Sequence, residues 1–115
     1  MDPRVARVIA VMEETLDRQI SLGELAAIVN LSPSRLARVF KTATGTPPAR
    51  YLHRLRLQRA RVLLERSYLS VKQVMIAVGL TDPSHFARDF RREHGCAPSQ
   101  LRRRSWAAAS DQETS

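Results

Sequence analysis

The sequence is poor in cysteine and in aromatic residues. Its 115 residues include one cysteine, Cys96, and aromatic side chains make up 5% of the chain. A lone cysteine excludes an intramolecular disulfide framework and a zinc site built from cysteines alone. The length excludes a doubly wound nucleotide-binding enzyme and a TIM barrel. Because hydrophobic residues reach 43%, general disorder is excluded too, and we expect one small soluble domain, or two very small units, in a reducing compartment.

Long hydrophobic runs and a leader segment are absent as well. The longest apolar run covers residues 8–12, far short of the ~20 residues that a membrane span needs. The first residues lack a basic region followed by an apolar stretch, so no signal peptide is predicted. No Ser/His/Asp order indicates a nucleophile, and His85, His94 and Cys96 lack a fourth ligand at zinc-finger spacing. The sequence therefore predicts a cytoplasmic protein with no enzymatic activity, no metal, no cofactor and no membrane partner.

Positive charge is abundant, and it is almost all arginine. The chain carries 17 arginines and two lysines against 11 acidic residues, a net charge of +8. Residues 33–104 hold 16 basic and four acidic side chains, a net +12, whereas the segment on either side carries −2. The planar guanidinium fork matches phosphate groups and guanine edges, which makes a polyanion the first predicted partner. An arginine excess also arises in GC-rich genomes without any function, so charge alone leaves both explanations open.

Apolar residues at helical spacing indicate helices along the whole chain, and no strand-like alternation occurs. A long helix is predicted over residues 47–66 and a short one after Pro98. Helix starts carry a serine or aspartate cap, an early proline, or both: Pro3, Ser21, Ser32-Pro33, Pro47-Pro48, Ser70, Asp82-Pro83 and Pro98. Ser21 and Ser70 are expected to form capping boxes with Glu24 and Gln73. The predicted fold class is all-α, with about seven helices.

The helical pattern occurs twice. Shifted by 50 positions, residues 33–50 match residues 83–100 at seven of 18 positions: Pro33/Pro83, Ser34/Ser84, Ala37/Ala87, Arg38/Arg88, Phe40/Phe90, Gly45/Gly95 and Pro48/Pro98. Each copy consists of a short helix, a tight turn, a second helix and a glycine stop, which together form a helix-turn-helix. The sequence predicts one domain over residues 1–104. Its first subdomain covers about 1–46, the linker helix about 47–66 and the second subdomain about 67–104, and a flexible tail follows over 105–115.

The second helix of a helix-turn-helix presents its exposed face to the DNA major groove. Phe40, Phe86 and Phe90 are expected to face the core. Residues on the opposite face are expected to contact base edges: Ser34, Arg35, Ala37, Arg38, Ser84, His85 and Arg88. A solvated role for His85 stays open. Basic residues one turn farther along, and a stripe of the linker helix, are expected to contact phosphates: Lys41, Arg50, Arg54, Arg61, Arg91 and Arg92.

The length of the linker helix predicts how the two units meet DNA. At ~1.5 Å per residue, about 20 residues span roughly 30 Å, close to the 34–36 Å of one turn of DNA. We therefore expect the two units to read successive major grooves of an asymmetric site. Such a protein is expected to bind as a monomer.

Several motifs together resemble one known family. Residues 79–92, Gly-Leu-Thr-Asp-Pro-Ser-His-Phe-Ala-Arg-Asp-Phe-Arg-Arg, followed by Gly95 and Pro98, resemble the second helix-turn-helix of AraC/XylS-type transcription regulators. Further residues resemble the linker region of that family: Gly45-Thr46-Pro47, Tyr51, Arg56-Leu57, Ala60 and Leu63-Leu64. The resemblance covers about residues 5–104. It implies a bacterial, seven-helix module that binds double-stranded promoter DNA, most often to activate transcription by recruiting RNA polymerase.

The chain departs from the family pattern in places. Met75 stands where a small alanine is usual and is expected to push the helices of the second unit apart or to redirect them. Asn30 replaces the usual glycine of the first turn, and asparagine tolerates a left-handed backbone. Since many members carry a separate ligand-sensing domain, this chain is similar to the stand-alone members or to an excised domain.

Two other function classes compete with a DNA-binding regulator. A protein-interaction module without sequence-specific DNA binding can use the same helices, but its exposed recognition faces are expected to be apolar rather than rich in arginine. A DNA-repair enzyme fused to this type of domain needs reactive or metal-bound cysteines, and Cys96 alone argues against it.

Overall fold

The computed structural model describes the backbone of residues 1–114 and the side chains of residues 1–108. Within that part of the chain there are seven α-helices and no strand, so the predicted all-α fold is confirmed. The helices are α1 (Pro3–Glu14), α2 (Leu22–Ile28), α3 (Pro33–Thr44), α4 (Pro48–Arg66), α5 (Val71–Ala77), α6 (Pro83–His94) and α7 (Pro98–Thr114). The chain divides into two compact units, one up to Leu55 and one from Arg56 onward. The boundary thus lies within α4, the predicted linker helix.

In the first unit, α1 packs against the pair formed by α2 and α3. Its apolar stripe buries Val5, Val8 and Met12 completely. The side chain of Phe40 on α3 is also fully buried, and the ring of Tyr51 meets it edge-on with 5.2 Å between the ring centroids. Burying a side chain of this size contributes about 1.5–3 kcal/mol to folding. This core holds α3 so that its other face is exposed to solvent.

The turn between the two helices of each unit has the same closing bond. In the first unit Asn30 has a φ of 57°, and the backbone N–H of Leu31 donates to the carbonyl of Ala26 at 3.0 Å. In the second unit Gly79 has a φ of 79°, and Leu80 donates to Met75 at 3.0 Å. The expectation that Asn30 replaces a turn glycine in a left-handed conformation is therefore confirmed.

Met75 does not alter the bond that closes this turn. The expected separation or redirection of the helices of the second unit stays a prediction. The side chain of Met75 is 5% exposed and belongs to the core of the second unit. The flexible thioether side chain fits an irregular space, which explains why it takes the place of an alanine. Beside it a groove of about 380 Å³ runs between the starts of three helices and is lined also by Val71, Phe86 and Pro98.

Both α3 and α6 begin at a polar cap and end at a left-handed glycine. The side chain of Ser32 accepts the N–H of Arg35 at 3.2 Å, and Asp82 caps α6 in the same place. Gly45 and Gly95, with φ of 76° and 82°, close the two helices at their other ends. Of the predicted capping boxes, the one at Ser70 forms completely. At Ser21 only the bond from the Glu24 N–H to the serine oxygen is present among the described residues.

Substitution of two glycines in the first unit by alanine is expected to change the free energy of unfolding in opposite directions. Gly45→Ala is expected to lower the free energy of unfolding by about 1–2 kcal/mol, because its φ of 76° strains any residue with a Cβ atom. Gly23→Ala is expected to raise it by about 0.4–1 kcal/mol, because Gly23 lies inside α2 and the new Cβ meets only the Ser21 Oγ, at 3.8 Å. Urea unfolding followed by circular dichroism measures both, and a loss of stability in Gly23→Ala would contradict the helical account.

The second unit builds its core on Phe86 and Phe90 of α6. Their rings pack edge to face at 5.7 Å, and Phe90 is completely buried. The ring of His94 lies 4.5 Å from that of Phe90, and its Nε2 donates to the carbonyl of Leu57 at 3.0 Å. The Nδ1 atom then accepts from Arg61, at 3.5 Å. His94 thereby joins the end of α6 to α4 within this unit.

The last helix is longer than predicted. A short helix and a flexible tail over residues 105–115 were expected, but α7 continues as far as Thr114. After the arginine run, the sequence Trp106 to Ala109 contains no glycine or proline that would end a helix, and alanine has the highest helix propensity. The hydroxyl of Ser105 donates to the carbonyl of Leu101, and the ring of Trp106 packs against the guanidinium of Arg102 with 4.9 Å between them.

Candidate nucleic-acid interface

The outer face of α3 is a short basic stripe. Ser34, Arg38 and Lys41 follow the helical spacing i, i+4, i+7 and are all exposed, as is Arg35. Ala37, also predicted to contact a base, is half-buried beside them. The helix contains no acidic residue, and no described side chain forms an ion pair with its three basic groups. Their donor groups are therefore available to an anionic partner.

The outer face of α6 repeats this arrangement one unit later. Ser84, Arg88 and Arg91 occupy the positions of Ser34, Arg38 and Lys41, and each is exposed. Further exposed residues of α6 are the predicted contacts His85 and Arg92, together with Ala87. The structure therefore places the predicted contacts of α3 on one side of that helix and those of α6 on one side of the other, whereas the remaining predicted phosphate contacts lie on α4.

Unlike α3, α6 carries acidic partners on its exposed side. The Nε atom of Arg88 lies 3.3 Å from a carboxylate oxygen of Asp89, a bond that leaves the two terminal nitrogens of the guanidinium as donors. The Nδ1 atom of His85 lies 3.1 Å from Oδ2 of Asp82. The backbone N–H of His85, followed by the charge of its imidazole, lowers the pKa of Asp82. From the sequence, Asp82 was expected only to cap α6, although its position three residues before a histidine signals this pair.

The predicted phosphate contacts of α4 fall in both units. Arg50 and Arg54 belong to the first unit and are exposed. Arg61 belongs to the second unit, where its Nε donates to Glu65 at 2.8 Å and its Nη1 donates to Nδ1 of His94 at 3.5 Å. Arg61 is half-exposed, but it already has intramolecular partners, so it has fewer donors to offer than Arg50 or Arg54.

Two arginines counted in the basic segment are not on the surface. Arg56 and Arg102 are 9% and 5% exposed, and burial lowers the pKa of both guanidiniums. Arg102 donates to the carbonyl of Leu64 in the last turn of α4 and to the carbonyls of Ser67 and Leu69 beyond its end. The net charge of residues 33–104 therefore overstates the charge offered to a partner. A run of three arginines gave no sign that its first member is buried.

Neither a metal-binding group nor a membrane-spanning helix is found among the described residues. No group of three His, Cys, Asp or Glu side chains in the described part of the chain is placed to hold a metal ion. No helix over the residues that the structure describes combines the length and the apolar character that crossing a membrane requires.

Comparison with known proteins agrees with this geometry. Residues 25–104 match a family described as a helix-turn-helix domain. A transcriptional regulator from Chromobacterium violaceum with an AraC-type DNA-binding domain has a similar structure, with a TM-score of 0.84, 31% identity, and coverage of 90% of this chain and 92% of that one. The chain belongs to the AraC-type helix-turn-helix family.

Other AraC-type proteins show how this family uses the fold. The DNA-binding domain of AdpA, solved in complex with a target DNA, has a TM-score of 0.84 and 32% identity, over 91% of this chain and 95% of that one. The regulator GbdR of Pseudomonas aeruginosa is 36% identical over 87% of this chain and 27% of its own length. The activator RhaS of Klebsiella pneumoniae is 39% identical over 88% of this chain and 36% of its own length. The chain thus spans about a third or less of these curated AraC-type relatives.

The phosphate contacts predict a change in salt dependence. Lys41→Ala is expected to weaken binding to all DNA sequences alike and to reduce the slope of log K against log salt by about one, because one fewer counterion is released. Arg91→Ala is expected to do the same from α6. Arg7→Ala is the matched control, since Arg7 is an exposed arginine on α1, a helix that is not predicted to contact DNA. Equal slopes for Lys41→Ala and Arg7→Ala, measured by fluorescence anisotropy, would refute the phosphate role.

Proposed function

We propose that this chain acts in bacterial transcription regulation by reading double-stranded promoter DNA through α3 and α6. One observation carries the proposal. Two copies of the same helix-turn-helix each expose an arginine, Arg38 or Arg88, at the same point of the second helix. Arginine donates in pairs to the O6 and N7 atoms of guanine, the commonest specific contact in the major groove.

The composition of these faces argues against a protein-interaction module. The large hydrophobic side chains that are exposed among the described residues lie on other elements: Met1, Ile28, Val62, Tyr68, Ile76 and Trp106. The outer faces of α3 and α6 instead offer serine, histidine and arginine. Polar donors of this kind suit base edges and phosphates rather than an apolar protein surface.

Several finer features belong to the proposal as well. We propose that the two units read successive major grooves, that the chain binds as a monomer when no other domain is attached, and that it acts in the bacterial nucleoid as an activator that contacts RNA polymerase. The relative RhaS is described as a transcriptional activator, which supports a role in activation. These roles are proposals because the chain covers 27% of GbdR and 36% of RhaS, so what those whole proteins do is not carried over to it. No catalytic step is proposed, since the named relatives are transcription regulators.

Selection of bound sequences from random double-stranded DNA tests this function. The expected result is an asymmetric site with two boxes about one helical turn, roughly 10 base pairs, apart. A palindromic site would contradict binding as a monomer. Enrichment of no sequence at all, with binding that depends on salt alone, would overturn sequence-specific recognition.

A further inference from the structure

Asp82 uses its two carboxylate oxygens for two different purposes. Oδ1 accepts the backbone N–H groups of Ser84 at 2.9 Å and His85 at 3.1 Å, and so caps α6. Oδ2 lies 3.1 Å from Nδ1 of the His85 imidazole. The pKa of Asp82 is lowered, first by the His85 backbone N–H, so the carboxylate is ionised in neutral solution.

The first unit shows that the cap does not require the second oxygen. At the equivalent position Ser32 caps α3 with its single oxygen, which accepts the N–H of Arg35 at 3.2 Å. Arg35 also takes the place of His85, so this position holds an always-charged donor in one unit and a titratable imidazole in the other. The pairing of Asp82 with His85 is thus an addition to the capping function.

This pairing decides which nitrogen of the neutral imidazole carries the proton. A carboxylate only accepts hydrogen bonds, so the nitrogen that faces it must carry the proton. Nδ1 then donates to Asp82, and Nε2 keeps its lone pair and can only accept. The side chain of His85 is 63% exposed, on the face of α6 that also carries Ser84 and Arg88, so Nε2 is open to a partner. In the major groove the donors available to such an acceptor are the amino groups of adenine and cytosine.

We propose that Asp82 is a positioning residue for base specificity: it holds His85 with Nε2 as an acceptor, so that α6 prefers adenine or cytosine at the base that His85 faces. This inference rests on the proposed function of α6 as a DNA-reading helix. It adds a residue that does not itself contact the base but determines what its neighbour reads.

Two substitutions of Asp82 separate the capping of α6 from the pairing with His85. Asp82→Ser keeps a helix cap of the type present at Ser32 but offers the imidazole no oxygen in place of Oδ2. Asp82→Asn also keeps a good cap. With its oxygen accepting the two backbone N–H groups, its NH₂ group faces Nδ1 and donates to it. The proton of the imidazole then moves to Nε2, which becomes a donor.

The experiment measures base preference rather than affinity alone, because removing a negative charge strengthens DNA binding in any sequence. The full chain is used to select sites from random DNA at alkaline pH, so that the neutral form of the imidazole is the one tested. Comparison with His85→Ala identifies the base pair at which His85 acts. The affinities of wild type, Asp82→Ser and Asp82→Asn are then measured for the four base pairs at that position, both with His85 present and in the His85→Ala background. Circular dichroism confirms that each variant is folded.

The expected result is a changed preference in one variant and a lost preference in the other. Wild type favours adenine or cytosine by about fivefold, the size of one net hydrogen bond. Asp82→Asn accepts guanine, thymine and the N7 atom of adenine, and disfavours cytosine, which presents no acceptor in the major groove. Asp82→Ser shows little preference. In the His85→Ala background neither substitution changes the ranking of the four base pairs.

Each contrary outcome points to a different failure. If wild type selects no site, the proposed function itself is wrong. If a site is selected but His85→Ala changes no position in it, His85 does not read a base and the inference is overturned while DNA recognition stands. If His85 acts at one base pair and Asp82→Asn keeps the wild-type preference there, Asp82 serves as a cap only. The matched variant Ser32→Asn in the first unit is expected to leave every base preference unchanged.

Discussion

Arg88→Ala is expected to reduce affinity for the selected site by about 1–3 kcal/mol, roughly 5- to 150-fold, and to relax the base preference at one position. The physical reason is the loss of a paired hydrogen bond to a guanine, which leaves the base edge without its partner inside a closed interface. The bond between the Arg88 Nε and Asp89 supports this role, because it orients the guanidinium while the terminal nitrogens are still able to donate. Binding curves on the selected site and on variants of it measure the effect.

Arg38→Ala gives the internal comparison. Arg38 occupies on α3 the position that Arg88 occupies on α6, so the same loss of affinity is expected in the other box of the site. Arg92→Ala, on the same helix as Arg88, removes an equal charge from a predicted phosphate contact and is expected to leave the base preference unchanged. If Arg88→Ala weakened binding to random DNA as much as binding to the selected site, Arg88 would be a phosphate contact as well.

Arg102→Ala is expected to have the largest effect on stability, lowering the free energy of unfolding by about 2–4 kcal/mol. Arg102 is 5% exposed, and its guanidinium donates to the carbonyls of Leu64, Ser67 and Leu69. These carbonyls lie at and just after the C-terminus of α4, where backbone acceptors lack partners within the helix. Alanine leaves them unbonded in a site that water does not reach freely.

The neighbouring arginine is the matched control for this effect. Arg103 is exposed, and Arg103→Ala is expected to change stability by no more than about 0.5 kcal/mol. Arg102→Lys is expected to restore only part of the lost stability, because an ammonium group cannot present the planar fork that serves three carbonyls. Urea unfolding followed by circular dichroism compares the three variants. Equal stability of Arg102→Ala and Arg103→Ala would show that the carbonyl bonds contribute nothing net.

The features of the fold that follow from local rules were predictable from the sequence. The serine and aspartate caps and the glycine stops act on the backbone within a few residues, and Ser32, Asp82, Gly45 and Gly95 all hold the predicted positions. The repeat strengthened these predictions, because one pattern had to hold at both places. Even the left-handed conformation of Asn30 at the place of the turn glycine was foreseeable, since asparagine tolerates a positive φ.

The features that depend on contacts between distant segments were not predictable. Nothing near Arg102 in the sequence distinguishes it from Arg103, and its burial arises from carbonyls more than 30 residues away. The length of α7 was underestimated because small and polar residues were taken as a sign of disorder, although nothing between Trp106 and Ala109 ends a helix. The sequence places Asp82 and His85 together at the start of one helix. That a carboxylate oxygen of Asp82 lies against the imidazole is known only from the structure.

The position of Trp106 allows unfolding of the second unit to be followed by tryptophan fluorescence separately from that of the first. It is the only tryptophan of the chain, it is 45% exposed, and it lies on α7 against the buried guanidinium of Arg102. Indole emission depends on such immediate surroundings, so the intrinsic fluorescence of this protein reports on the second unit, whereas ellipticity sums over helices of both. A protein with two recognition units thus carries a built-in fluorophore in only one of them, and comparing emission with ellipticity during unfolding resolves the stability of that unit without any label.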